Sequence, residues 1–307
     1  MLKGGILQEM MMVFCIFALN FKTILMRQLL FIVLVCIFLP TTGAKAQVRC
    51  HYEAIDSTFI EELLKEGKTD MLYYARRFYG RYCVAHMPEI FPDEEQMVIN
   101  TRQHDCTTFV ELVAALTLCA RHGETTFGQL VAQLQRIRYW DGICDGYTSR
   151  KHYFSDWIRD NSRLGIVTEV RQPNPPFTGI QTVKVNYMSK HTNDYLPLKL
   201  HPELVPAIVR QEKQLSGMQF RYIPTKQVVD SEEMRQAVHD GDIIAFVTNK
   251  PGLDVTHLAL AVWHDSGLHM IHASSLRKKV TEETGSVRRY LERRSSCIGI
   301  RVIRLAE

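Results

Sequence analysis

The order of patterns along the chain constrains its fold most strongly, because helical patterns come first and strand-like runs come last. Amphipathic stretches typical of helices lie at residues 56–75, with a break near Gly67, and at residues 105–121 and 126–138. Short runs rich in β-branched and aromatic residues lie at residues 241–248, 257–263, 268–274 and 298–305, and residues 180–188 alternate like a further strand. Helices followed by strands predict an α+β fold with an antiparallel sheet.

Residues 26–46 have the layout of a signal peptide. A basic residue precedes an unbroken apolar run of 11 residues, Leu29 to Leu39, and an A-x-A cleavage site ends at Ala46. A membrane-spanning helix needs about 20 apolar residues, so we expect cleavage and no stable membrane insertion, with a permanent anchor as the alternative. We expect translation to begin at Met26, which would leave residues 1–25 untranslated.

The rest of the chain, residues 47–307, is predicted to be one domain, because it contains no linker, charge block or internal repeat. We expect this domain to be exported to the periplasm or secreted, and to act as a monomer. The formal net charge is +4, but four basic residues and one acidic residue lie in residues 1–46. About one net positive charge therefore remains for the exported part, which argues against a nucleic-acid partner.

Six cysteines would reach an oxidising compartment, where thiols tend to pair: Cys50, Cys83, Cys106, Cys119, Cys144 and Cys297. Cys119 falls on the apolar face of a predicted helix and is expected to be buried. If Cys106 stays free, the other four allow two disulfides in any of three pairings, and the sequence does not choose among them.

The segment DCTTFVE, residues 105–111, places a cysteine at the start of a predicted helix. Asp105 is the expected N-cap, so Cys106 lies in the first turn, where free N–H groups and the helix dipole stabilise a thiolate. The same N–H groups can hold an oxyanion. The alternative is a buried or disulfide-bonded cysteine beside a capping aspartate.

A nucleophilic cysteine needs a base and a group that orients the base. The candidates are His257 and His272, which lie on two neighbouring strand patterns. A two-residue turn at residues 265–266 would pair His264 with Gly267 and place both candidates on one face, about 7–8 Å apart at Cα. An odd-length loop would put them on opposite faces, and a buried core histidine is the alternative for either residue alone.

Motifs for other chemistries are missing from the sequence. It contains no HExxH, no CxxC pair and no short His-x-His spacing, which disfavours the alternative of a zinc amidase. GxSxG, Walker and GxGxxG motifs are also absent. We therefore expect neither a metal nor a cofactor.

Taken together, several segments resemble NlpC-type cysteine peptidases, papain-like hydrolases that cut bacterial peptidoglycan. They are DCTTFVE (105–111), GDIIAF (241–246), HLALAVW (257–263) and MIHASS (270–275). IRYWDG (137–142) and SRKHYFSDWIRDN (149–161) are closer to their N-acetylmuramoyl-L-alanine amidase-like branch. The resemblance covers about residues 56–305. It implies a papain-like NlpC-type fold, with the nucleophile at a helix start packed on an antiparallel sheet, and an inserted substrate-recognition region.

The resemblance also implies an activity. Cys106 would be the nucleophile, His257 the base and His272 the group that orients the base, in an amidase that cuts between (anhydro)muramic acid and L-alanine of muropeptides during wall turnover or recycling. One departure is Leu258-Ala259 after the base, where simpler members have Val-Gly. A γ-D-glutamyl-diamino acid endopeptidase of the same fold and a non-catalytic peptidoglycan-binding module remain open.

The inserted segment, residues 137–161, is the candidate for substrate recognition. Its aromatic rings can stack on sugars, and its charged groups, Lys151 and Arg159 among them, can meet carboxylates or hydroxyls. The predicted substrate-binding residues are Asp105, Tyr139, Trp140, Arg150, Tyr153, Asp156 and Trp157. The alternative is that Trp140 and Trp157 belong to the core and the charges form a solvated rim.

Overall fold

The computed structural model describes residues 49–172 and 174–306, which form a mixed α+β structure. The predicted signal peptide lies outside the described residues. Within those residues, no helix combines the length and the apolar character that crossing a membrane requires.

Ten α-helices occur in the described part of the chain: α1 (Ala54–Lys65), α2 (Met71–Arg77), α3 (Cys106–Arg121), α4 (Phe127–Arg138), α5 (Phe154–Arg163), α6 (Tyr187–Lys190), α7 (Leu196–Leu200), α8 (Val205–Leu215), α9 (Glu232–Ala237) and α10 (Val287–Glu292). The first predicted helix is divided as expected near Gly67, which has a φ of 61° that favours glycine. Helices α3 and α4 begin at reciprocal caps on Asp105 and Thr126, at the predicted positions.

Twelve strands are described: β1 (Cys50–His51), β2 (Tyr82–Cys83), β3 (Met97–Val98), β4 (Gln103–His104), β5 (Val167–Val170), β6 (Gly179–Thr182), β7 (Gln219–Pro224), β8 (Ile243–Thr248), β9 (Val255–His264), β10 (Gly267–Ser274), β11 (Lys279–Glu282) and β12 (Cys297–Leu305). Strands β1 and β3 form a separate parallel pair. The large sheet has the order β4-β2-β11-β10-β9-β8-β12-β7-β6, with β5 also pairing with β12. Its pairs are antiparallel except for β2 with β4, as predicted for the C-terminal strands.

The strand predicted over residues 180–188 is only partly correct. Strand β6 ends at Thr182, and the chain turns into the short helix α6. The backbone N–H groups of Asn186 and Tyr187 both donate to the carbonyl of Gly252, and the N–H of Ser189 donates to the Glu212 carboxylate. These tertiary hydrogen bonds override the local alternation of residue types.

Helix α3 packs against strands β9 and β10. Phe109, Val113 and Leu116 share one buried cluster with Leu260 and Ile271 of the strands. The opposite face of these strands is covered by a second cluster, which includes Phe246, Ala259 and Val287. The helix start is therefore held rigidly against the strands that carry the candidate histidines.

The cysteines do not pair in this structure. All six in the described part of the chain are free thiols, so none of the three disulfide pairings is present. Cys119 is fully buried in the core, which confirms its prediction as a small hydrophobic residue.

Candidate active site

The first turn of α3 is fixed by a capping box. Asp105 Oδ1 accepts from the N–H of Thr108 at 2.7 Å, and Thr108 Oγ1 accepts from the N–H of Asp105 at 2.9 Å. Cys106 is therefore the first residue of the helix, as predicted, and its side chain is half-buried. Backbone N–H groups of this turn have no partner within the helix and remain suited to binding a negative charge.

The two candidate histidines are brought together by the β9–β10 hairpin. Its register pairs Gly267 with His264 and continues to Ile271 opposite Leu260, so the turn has the two residues that were predicted. Nε2 of His257 lies 2.7 Å from Nδ1 of His272. The rings meet edge to face, at 81° and 5.0 Å between centroids. The even loop thus places both side chains on one face.

Glu283 extends this pair and was missed in the sequence. One of its carboxylate oxygens lies 3.6 Å from Nε2 of His272, and Arg277 lies 3.3 Å from the other oxygen. Strand β11 pairs Thr281 with His272, so Glu283, two residues later, falls on the same face. The register of the next hairpin is the signal that could have identified it.

An aromatic wall encloses the histidines. The Tyr290 ring lies 6.1 Å from His257 in a stacked orientation and 5.8 Å from His272 edge-on. Phe246 lies 5.7 Å from His257 on another side. The guanidinium of Arg294 covers the Tyr290 ring at 3.4 Å. No sequence pattern indicated Tyr290, because its place depends on how α10 packs against the sheet.

Burial sets the charge state of these groups. It lowers the pKa of His257 to about 3, and the positive charges of His272 and Arg294 act in the same direction. Burial also lowers the pKa of His272 to about 4, against the opposing effect of Glu283. Burial and the Asp105 carboxylate raise the pKa of the Cys106 thiol to about 12, although a backbone hydrogen bond at Leu258 lowers it.

The resting charge state therefore differs from the thiolate that the helix position alone suggests. The free energy needed to bury the Cys106 thiolate away from water exceeds the stabilisation that the first turn of the helix gives it. These shifts favour a neutral thiol and neutral imidazoles near neutral pH.

Cys106 and His257 line the same cleft, which has a volume of about 420 Å³. Three predicted substrate-binding residues, Asp105, Arg150 and Tyr153, line it as well. The structure thus brings five predicted residues to one cavity.

The other four predicted substrate-binding residues do not line the cleft. The ring of Trp157 is buried, stacks on Phe154 at 4.7 Å and donates from Nε1 to Glu111 at 3.1 Å. Tyr139 is also buried, with its hydroxyl donating to Glu95 at 3.0 Å. Both side chains are occupied in the core, so their prediction as sugar-stacking residues is corrected.

Asp156 and Trp140, the remaining two predicted residues, lie outside the cleft lining because both pack against Arg159. Asp156 is buried and forms an ion pair with Arg159 at 2.9 Å, and burial raises its pKa to about 7. Trp140 is half-buried beneath Arg159, whose guanidinium lies 5.6 Å from its ring. Neither side chain reaches the cleft.

The basic residues of the inserted segment are held by buried acids. Arg150 lies 3.3 Å from Glu89 and 3.2 Å from Glu95. Lys151 lies 2.7 Å from Asp160. Because breaking a buried ion pair leaves an uncompensated charge, these contacts fix the cleft wall. The idea of a solvated rim is therefore wrong for these two residues.

Within residues 49–172 and 174–306, no three histidine, cysteine or acidic side chains cluster in a way that could hold a metal ion.

Comparisons with known proteins agree on the family. A family model described as AmiA-like, N-acetylmuramoyl-L-alanine amidase-like, matches residues 73–299. The crystal structure of an N-acetylmuramoyl-L-alanine amidase from Bacteroides uniformis ATCC 8492 is similar, with 36% identity and a TM-score of 0.73 over 78% of this chain and 100% of that one. No curated protein matches the chain.

Two further crystal structures are similar. A Bacteroides fragilis protein named as a candidate xylanase has 40% identity and a TM-score of 0.71, covering 76% of this chain and 100% of its own. A Legionella pneumophila protein has 18% identity and a TM-score of 0.63, over 82% of this chain and 94% of that one, and shows a shared fold alone.

Proposed function

Because this chain belongs to the N-acetylmuramoyl-L-alanine amidase-like family, we propose that it hydrolyses the amide between (anhydro)muramic acid and L-alanine in muropeptides, with Cys106 as the nucleophile. The observation that carries the proposal is the 2.7 Å contact of His272 with His257, which lines the same cleft as Cys106. A cysteine at a helix start, packed on an antiparallel sheet that carries the histidines, also supports a papain-like NlpC-type arrangement.

The contact between the histidines supports one nitrogen of His257 as the base. Nε2 of His257 faces His272, which leaves Nδ1 of His257 for the thiol. For Nδ1 to accept a proton, Nε2 must carry hydrogen and donate to Nδ1 of His272. The hydrogen of His272 then lies on Nε2, the atom that faces Glu283. Glu283 therefore stabilises the positive charge that develops on the pair, and His272 fixes the tautomer of the base.

The reaction follows from this arrangement. The sulfur of Cys106 bonds to the amide carbonyl carbon while its proton moves to Nδ1 of His257. N–H groups at the start of α3 hold the resulting oxyanion. The C–N bond then breaks as His257 returns the proton to the nitrogen of L-alanine. Water, deprotonated by His257, attacks the thioester and releases the muramic acid carboxylate and the free thiol.

Because both groups are neutral at rest, the proton moves from Cys106 to His257 during the attack. The low pKa of His257, about 3, keeps it unprotonated over the neutral range. The high pKa of Cys106, about 12, protects the thiol from reaction in the empty cleft.

Three cleft residues are proposed to bind substrate. Asp105 uses Oδ1 for the helix cap, so Oδ2 is available to a substrate N–H. Tyr153 presents its ring, because its hydroxyl donates to Glu212 at 2.7 Å and accepts from the N–H of Met188 at 3.2 Å. Arg150, fixed by Glu89 and Glu95, presents guanidinium N–H donors to the cleft.

Glycoside hydrolysis, which the name of the Bacteroides fragilis neighbour raises, is less well supported. Most such enzymes use two carboxyl groups that act directly on the glycosidic bond. The carboxylates on this cleft are Glu89, Asp105, Glu111 and Asp254. All four accept hydrogen bonds from side chains or backbone that hold the cleft together. The histidine pair would have no role in that chemistry.

The proposed site of action is outside the cytoplasm, in the periplasm, with the protein working as a monomer. The signal-peptide pattern of residues 26–46 supports the location. Muropeptides released during wall turnover would be its substrates there.

Mass spectrometry of defined anhydro- and reduced muropeptides tests the activity. We expect free sugar and an intact stem peptide from the wild-type protein, and neither product from Cys106→Ala or His257→Ala. Matched controls are Cys144→Ala, a half-buried cysteine outside the cleft lining, and His264→Gln, an exposed histidine on the same hairpin.

Shorter peptide fragments would identify an endopeptidase instead. Binding without any product would identify a binding module. Cleavage of xylo-oligosaccharides, insensitive to Cys106→Ala, would replace the proposal with glycoside hydrolysis.

A further inference from the structure

A second cavity, of about 430 Å³, adjoins the histidine pair through Tyr290 and Glu283. We call it the basic cavity, because four arginines line it: Arg277, Arg289, Arg293 and Arg294. The mechanism proposed above uses none of these arginines.

The positive charge of the basic cavity is largely uncompensated. Arg277 pairs with Glu283, the one acidic residue on the lining. Among the residues that the structure describes, Arg289, Arg293 and Arg294 have no carboxylate within ion-pair distance. The neighbouring Arg288, outside the cavity, does have one, since it contacts Glu292 at 2.6 Å. A concave surface lined by one sign of charge concentrates potential and attracts the opposite charge.

Two of the lining residues connect the basic cavity to the site of chemistry. Tyr290 stacks on His257, and its backbone carbonyl accepts from Arg294 at 3.2 Å. Glu283 contacts both His272 and Arg277. The positive charge of Arg294 acts on both histidines, since it lowers the pKa of each. A group bound in the basic cavity therefore lies next to Tyr290 and Glu283, the two residues that contact the histidine pair.

We propose that the basic cavity binds a carboxylate of the substrate's stem peptide. The proposal rests on the function proposed above, because a muropeptide places an acidic peptide directly beyond the amide that would be cut. Arginine suits this ligand, since its planar fork meets a carboxylate with two parallel hydrogen bonds. The exposed side chains of Arg289 and Arg293 can reorient around such a group without disturbing the core.

The test uses two substrates that differ only in charge: a muropeptide with free stem-peptide carboxylates and the same molecule with those groups as carboxamides. The variant is the double substitution Arg289→Gln and Arg293→Gln. The matched control is Arg288→Gln, on the same helix but paired with Glu292. We expect the double variant to raise KM for the acidic substrate about tenfold and leave its kcat unchanged. KM for the carboxamide substrate should stay within twofold of wild type.

Equal changes for both substrates, or an equal effect of Arg288→Gln, would overturn the proposal. Calorimetric binding to Cys106→Ala, with and without the double substitution, gives a second readout that needs no turnover. If the wild-type protein cuts no muropeptide, the proposed amidase function fails, while selective binding of the acidic peptide still supports this inference. Binding of peptide-free muramic acid that the double substitution abolishes would instead assign the cavity to the sugar acid.

Discussion

Replacing Glu283 with glutamine removes one charge while keeping the shape of the side chain, and it isolates the role of this residue behind the histidine pair. The carboxylate lies 3.6 Å from Nε2 of His272 and is mostly shielded from water, with 17% of its side chain exposed. Opposite charges about 4 Å apart attract by about 4 kcal/mol at an effective dielectric constant near 20.

We assign about half of this attraction to stabilisation of the transition state by Glu283. Arg277 also binds the carboxylate, and solvent reaches part of it. About 2 kcal/mol corresponds to about a 30-fold loss of kcat. KM for an acidic muropeptide should be unchanged or lower, because the substitution also releases Arg277 into the basic cavity. Initial rates on a defined muropeptide, followed by chromatography of the released peptide, measure both constants.

Glu282→Gln is the matched control, since the adjacent Glu282 pairs with His264 and accepts from Tyr79 at 2.8 Å, away from His272. It should leave kcat within twofold of wild type, and thermal melting should confirm that both variants are folded. A Glu283→Gln protein with wild-type kcat would refute the reasoning, and so would an equal loss in Glu282→Gln.

Three other predictions follow from the described geometry. Asp105→Ala should lower the free energy of unfolding by about 1 kcal/mol and remove most of the activity. Thr126→Ala, which removes the equivalent cap of α4, should lower stability by a similar amount and leave kcat unchanged. Urea titrations measure the stabilities and initial rates measure the activities, and equal activities of the two variants would contradict this prediction. Trp157→Ala should lower the unfolding free energy by about 3–5 kcal/mol and leave KM of the folded protein unchanged, so a raised KM with unchanged melting would restore its role in recognition. Burial lowers the pKa of His257 to about 3 and that of His272 to about 4, so below about pH 6.5 the unfolded chain binds protons that the folded chain does not. The free energy of unfolding should therefore fall from pH 7 to pH 5. Over the same range, kcat/KM should show no midpoint near pH 6.5. Urea unfolding and rates at both pH values check this last prediction, and a rate midpoint near 6.5 would show a histidine of ordinary pKa.

The positions of the proposed catalytic residues could be predicted because each depends on a local rule. Asp105 marks a helix start, which placed Cys106, and a two-residue turn fixes which face His257 and His272 share. The same reasoning carried to the next hairpin would have included Glu283, since Thr281 pairs with His272.

Residues whose place depends on packing between distant segments could not be predicted in this way. Trp157, with Phe154 and Ile158, has the spacing of a helix face that belongs to the core, but an aromatic residue in an insert is equally suited to a sugar. Tyr290 lies beside the histidines only because α10 packs there. Both positions depend on tertiary contacts that no local pattern specifies.

The proposed nucleophile lies on α3, in the first half of the described residues, and its base lies on β9, close to the end of the chain. About 150 residues separate Cys106 from His257 in the chain, so the two meet only after the C-terminal strands have joined the sheet. An incomplete or still unfolded chain therefore has no hydrolytic centre. An amidase built in this way would stay inactive during its synthesis, and it would acquire the ability to cut only at the end of its own folding.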